Sequence, residues 1–199
     1  MQIIPTTGLQ TNIFDVEKRV KEVKDFCRWI QVDVCDNKFA KRKTFELELL
    51  SKLDLNINNI LWDIHLMVNE PINWVEKCLF VGSSRIVGQV EMMSDREKFV
   101  DLVKNEGLEV GLAFDVETEI VDIPKETDVI LLMGRKAGFE EREMDLRIFN
   151  WIEKAAKFIK RVGVDGGVNN KNVKLLEKAG ANIVYSEKSY FDLIDGKNN

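Results

Sequence analysis

The sequence predicts an α/β protein, a (β/α)8 barrel formed as one domain over residues 1–199. Three observations predict it. Apolar, β-rich runs alternate with amphipathic helical patterns along the chain, which implies a parallel sheet with right-handed crossovers. There are about eight such runs, apolar throughout, as strands covered on both faces are. Three chemically capable side chains, Asp33, His65 and Asp165, lie in or at the ends of these runs, and catalytic groups of such barrels lie at the C-terminal ends of strands. An open doubly wound sheet is the competing arrangement. The chain is shorter than the ~250 residues usual for the barrel, so loops and some helices must be trimmed.

The elements follow in order. A first strand is expected at 2–5, then a helix whose face is marked by Phe14, Val16, Val20, Val23 and Phe26. Strands are expected at 29–34, 61–67 and 85–90. Asp95 suits an N-cap for a helix carrying Phe99, Leu102 and Val103, and Gly107 suits the C-terminal glycine after it. Strands at 109–113 and 128–133 precede the stretch 140–147, read as a solvated loop, with a mobile lid as the sharper alternative. Ile148, Trp151, Ile152, Ala155, Ala156 and Ile159 mark the longest helix. A strand at 161–164, an N-cap at Asn170, a C-cap at Gly180 and a strand at 182–185 complete the eight units. Residues 192–199 read as a frayed polar tail.

Composition narrows the function. A net charge of -5 gives no electrostatic footprint for nucleic acid. No apolar run approaches the ~20 residues that span a bilayer, and the N-terminus lacks the pattern of a signal peptide. Three cysteines without CxxC spacing argue against a disulfide framework and fit a reducing, cytoplasmic compartment.

Side chains two apart on a strand share a face, so Gln31 and Asp33 point the same way. With His65 from the third strand and Asp165 from the seventh, a barrel would gather two carboxylates and an imidazole on one rim. A small substrate between the second and seventh strands would then meet a carboxylate on each face of one carbon. That suits two-base epimerisation next to a carbonyl, with a divalent metal stabilising the enediolate. Zinc, manganese and iron suit such ligands. Taken singly, each residue has a plainer reading: Asp as turn former, His as a bonded core residue, and Cys35, Met67 and Met133 as core filler.

The motifs resemble the ribulose-phosphate 3-epimerase family. Trp29-Ile30-Gln31-Val32-Asp33-Val34-Cys35-Asp36 with Thr44-Phe45, Asp63-Ile64-His65-Leu66-Met67-Val68, the strand ending at Met133, and Val164-Asp165-Gly166-Gly167-Val168 follow the family's pattern in order. The resemblance implies a TIM barrel of the ribulose-phosphate-binding type that interconverts ribulose 5-phosphate and xylulose 5-phosphate. It implies a metal on Asp33, His65 and Asp165, with Asp33 and Asp165 also acting as acid and base, and Gln31 in place of a histidine ligand. It places Cys35, Met67 and Met133 beneath the intermediate, and Gly138, Gly166, Gly167 and Lys188 on the phosphate side. It further implies a small sugar or sugar-phosphate partner and a homo-oligomer.

The departures from the pattern are specific. Gln31 is a poorer ligand than imidazole for zinc or iron. Leu9 stands where the family has a serine, and Glu140 and Glu141 stand where it has glycines. Glu187-Lys188 replaces a Gly-Ser pair, and a glutamate there repels a phosphate dianion unless Lys188 compensates. Two readings follow: an epimerase with an altered substrate, or an inactive barrel that binds or regulates. A phosphate-binding barrel of the indole or tryptophan pathway would explain Gly166-Gly167 but not the motifs around Asp33 and His65.

Overall fold

A computed structural model describes residues 1–53, 59–138 and 143–196. Eight strands form one parallel sheet in the order β1-β8-β7-β6-β5-β4-β3-β2. They are β1 (Gln2–Pro5), β2 (Trp29–Cys35), β3 (Leu61–Met67), β4 (Ser83–Gln89), β5 (Glu109–Phe114), β6 (Val129–Met133), β7 (Val162–Asp165) and β8 (Ile183–Ser186). Just past the end of β1, a parallel bridge from Thr6 to Gln31 joins the two edges, and Thr7 N–H donates to the Gln31 carbonyl at 2.9 Å. The sheet is therefore a barrel, and the open doubly wound alternative is set aside.

The helices are α1 (Ile13–Val23), α2 (Val75–Phe80), α3 (Arg96–Asn105), α4 (Ile148–Ala155), α5 (Val173–Ala179) and α6 (Tyr190–Asp195). The expected trimming falls in two places. Among the described residues, a 3-10 helix (Leu47–Lys52) stands in for an α-helix between β2 and β3, and β5 reaches β6 without a helix.

Two apolar layers hold the barrel. The outer one packs strand residues such as Ile30, Ile64, Leu112 and Val164 against Val16, Val103 and Ile152 of the helices. The inner one fills the barrel with Ile4, Val87, Leu131, Ile183 and Tyr185. Burial on both strand faces is why the strands read as continuous apolar runs.

Several helix expectations need correction. Val16, Val20 and Val23 are buried on α1, but Phe14 is 75% exposed. Residue 14 lies about 200° around the helix from 16, so it cannot share that stripe. Phe26 lies beyond α1 and meets Phe191 edge-on at 5.6 Å. The helix beginning at Ile148 stops at Ala155, and α1, at 11 residues, is longer. The α5 N-cap is Asn172, not Asn170. Asp95 caps α3 by accepting from Lys98 N–H at 2.9 Å, and Gly180 caps α5 with φ +116°. Residues 192–195 belong to α6 with Leu193 buried, so the frayed tail cannot begin at Asp192; residues 197–199 lie outside the described residues, as do Glu140 and Glu141.

Candidate active site

Strand register builds the site. Asp33 pairs with His65 across β2 and β3, and Met133 pairs with Asp165 across β6 and β7. The inward positions are Gln31, Asp33 and Cys35 on β2, Asp63, His65 and Met67 on β3, and Arg85, Val87 and Gln89 on β4. Asp33, His65 and Asp165 each offer a ligand atom within 4.8 Å of the others, and they are the single such His/Cys/Asp/Glu group among the described residues. Gln31, Asp33 and His65 are buried, and Asp165 is half-buried.

Gln31 ties the carboxylates together. Its Nε2 donates to Asp33 Oδ1 at 2.7 Å and to Asp165 Oδ2 at 3.0 Å, while its buried Oε1 has no hydrogen-bond partner. The expected ligand thus turns its nitrogen, not its oxygen, toward the carboxylates. One nitrogen reaches both carboxylates, so the amide occupies the space between the two bridged oxygens.

His65 sits 3.2 Å from Asp33 Oδ1 through Nδ1 and 3.0 Å from Gln89 Oε1 through Nε2. Burial opposes charging the ring. The Asp33 hydrogen bond and the charges of Asp33 and Asp165 outweigh it and raise the imidazole's pKa. Gln89 accepts from Nε2–H, which leaves Nδ1 as the nitrogen facing the carboxylates. Burial, then the Asp33 charge, pushes the Asp165 carboxyl up to about 6, against the pull of His65, Gln31 and Arg135. Burial with the charges of Asp33 and Asp36 pushes the Cys35 thiol to about 12, so it stays protonated.

Above these groups opens a cavity of about 220 Å³. Asp33, Asp165, Met67 and Met133 line its floor, and Gly138, Gly166, Gly167 and Lys188 line its rim. Cys35 is buried beneath, with Thr44 Oγ1 accepting from its N–H at 3.0 Å. A Cβ on Gly138 would clash with Ala40 Cβ and lie 4.0 Å from Cys35 Sγ, so the chain passes close over this thiol. Gly166 holds φ +93°, and a Cβ there would meet Arg135 Cγ at 2.7 Å. The Glu187 carboxylate lies against Gly8, where a Cβ would come within 2.6 Å of it.

Sequence reasoning missed four contributors. Gln89 orients His65. Tyr185 lines the cavity while its hydroxyl, donating to Asp63 Oδ2 at 3.0 Å, is fixed below it. Arg135 and Lys136 add cations to the rim. The inward period Arg85, Val87, Gln89 was the signal for Gln89, and the position of residues 135–136 after a strand end was the signal for the cations.

Residues 4–191 match the model of the ribulose-phosphate 3 epimerase family. A ribulose-phosphate 3-epimerase of Buchnera aphidicola subsp. Baizongia pistaciae is 28% identical over 199 residues, covering 94% of this chain and 84% of its own. That of Chlamydia pneumoniae is 26% identical over 175 residues, covering 82% and 76%. That of Bacillus subtilis is 24% identical over 200 residues, covering 96% and 89%. Among solved structures, a mutant tryptophan synthase alpha-subunit from Pyrococcus furiosus superposes with TM-score 0.68 at 15% identity, covering 98% of this chain and 91% of its own. Phosphoribosyl anthranilate isomerase from Thermus thermophilus does so with TM-score 0.65 at 13% identity, covering 95% and 88%. At such identities the structural likeness shows the fold alone.

Proposed function

Because this chain belongs to the ribulose-phosphate 3-epimerase family, we propose that it is an epimerase-like isomerase acting on a small sugar or sugar phosphate. The observation that carries this reading is the pair of carboxylates from distant strands, joined at one rim beside an imidazole and opening into a cavity. One carboxylate takes the proton from the carbon next to the carbonyl, and the electron pair moves onto the carbonyl oxygen. The other, protonated, carboxyl returns a proton to the opposite face of that carbon. The pair therefore holds one proton before and after turnover. A pKa of about 6 suits Asp165 to exchange that proton near neutrality, with Asp33 as its partner.

Asp33, His65 and Asp165 fit a divalent zinc, manganese or iron ion in number, chemistry and spacing. When bound, such an ion supplies Lewis-acid stabilisation of the enediolate oxygen. Gln89 would set the ligating nitrogen of His65. Met67 and Met133 offer an apolar floor, with Cys35 behind them. Gly166, Gly167, Gly138 and Lys188 would receive the distal anionic end, and Glu187 on the same rim would shift the preference away from an unmodified phosphate dianion.

The Gln31 bridge, which donates to one oxygen of each carboxylate, favours a second reading, an inactive barrel that binds rather than converts. Incubation with ribulose 5-phosphate in D2O, with added manganese or zinc, separates the two. Deuterium entering at C3 with formation of xylulose 5-phosphate, reduced about 10²–10⁴-fold in Asp33→Asn, supports the epimerase reading. Absence of exchange with ribulose 5-phosphate and with a panel of other ketoses and ketose phosphates overturns it.

A further inference from the structure

We propose that Gln31 is a built-in competitor for the cation: its amide nitrogen cross-links the two ligand carboxylates, and a metal ion enters only when that amide turns over. The inference rests on the metal-assisted reading above.

The geometry is specific. Both N–H bonds of the amide are used, one on Asp33 Oδ1 at 2.7 Å and one on Asp165 Oδ2 at 3.0 Å. These carboxylates belong to the group with the spacing of a metal site. The same Asp33 oxygen also meets His65 Nδ1 at 3.2 Å. The amide nitrogen therefore contacts the very groups that a cation would draw together. On its other side the amide oxygen is buried without a hydrogen-bond partner. A buried, idle acceptor opposite a fully used donor is unusual, because buried polar atoms are generally satisfied.

The residue has no room to swing away. Gln31 is 0% exposed, and its backbone is fixed where the barrel closes, with Thr7 N–H on its carbonyl. What remains is rotation of the amide about its last torsion, which is broad and nearly two-fold. With no cation, an oxygen turned toward two carboxylates is repelled, and the donor-inward state is held. With a cation between the carboxylates, the oxygen-inward state gives it a further oxygen ligand and ends the idle burial of Oε1. The chain thus trades its own hydrogen bonds for the metal, which weakens metal binding and moves preference from zinc toward oxygen-preferring manganese.

The test uses the full chain, stripped with EDTA and desalted, and compares it with Gln31→His. Zinc and manganese are titrated separately against a chromophoric chelator. The expected result is zinc affinity at least about tenfold higher in Gln31→His, with a smaller gain for manganese. Equal zinc affinity, or tighter zinc binding by the unaltered chain, overturns the proposal, as does absence of binding by both proteins when circular dichroism shows both folded. Should Gln31→His fail to fold, the unaltered chain is read directly by ¹⁵N NMR. The Gln31 side-chain amide signal, identified by its loss in Gln31→Met, should be protected from solvent exchange in EDTA and should move on titration to high zinc. A signal unmoved at high zinc overturns the proposal. An inactive barrel can still pass these tests and an active one can fail them, so they stand apart from the exchange assay.

Discussion

Replacing Asp165 with Asn should stabilise the protein increasingly as pH rises. Burial and the neighbouring Asp33 charge lift the Asp165 carboxyl from 3.8 to about 6 in the folded chain. A carboxyl raised on folding binds its proton more tightly in the folded state. Its contribution is fully present below the unfolded value and is lost as pH climbs through about 6. The rise from 3.8 to about 6 corresponds to a total loss of about 3 kcal/mol. Roughly 1 kcal/mol of that is already gone by about pH 4.5, which leaves about 2 kcal/mol between there and about pH 8. Asn keeps an oxygen to accept from Gln31 Nε2 but carries no charge. Urea unfolding of both proteins in EDTA at the two pH values measures the effect. The advantage of Asp165→Asn should widen by about 2 kcal/mol, or roughly 4–8 °C in Tm for a chain of this size. A constant difference, or one that narrows toward alkaline pH, would refute the placement of Asp165 beside Asp33 in a desolvated pair.

Two further outcomes are expected. Gln89→Leu removes the acceptor on His65 Nε2 and should weaken zinc binding about 10–100-fold in the chelator titration; unchanged affinity would mean that the ring is oriented by something else. Arg85 is 0% exposed and holds Asp63, Glu109 and the Tyr185 hydroxyl, so Arg85→Met should cost about 3–5 kcal/mol in urea unfolding. A loss under about 1 kcal/mol would show that the charged layer beneath the site is not required for the fold.

The strands were legible because the cause is local. Burial on both faces writes a continuous apolar run into each one, and the observed limits match the expected ones or differ by a residue or two, as in β4, Ser83–Gln89. The helices were less legible. Phe14 was placed on the wrong face because an apolar residue next to a stripe looks like part of it until the 100° step is counted. Ile159 suggested a longer α4, but the chain must leave the helix soon after Ala155 to enter β7 at Val162. At the site, Asp33, His65 and Asp165 could be singled out because strand-end position and residue type are both sequence properties. Asp63 could not be assigned its part. It stands in the same motif as His65, yet its partners are Arg85 and Tyr185, the latter 122 residues away.

The sequence by itself determined about eight strands, their parallel direction and the residue types at their ends, since hydrophobic period and chain direction are written residue by residue. Only the tertiary structure decided which atom of Gln31 faces the carboxylates, that Gln89 rather than a backbone group holds His65, and that Glu187 lies against Gly8. These are contacts between segments as many as 179 residues apart in the chain. An amide has two unlike ends on one short stem, and what turns it is the field of groups brought near by closure of the barrel, which neighbours in sequence do not supply.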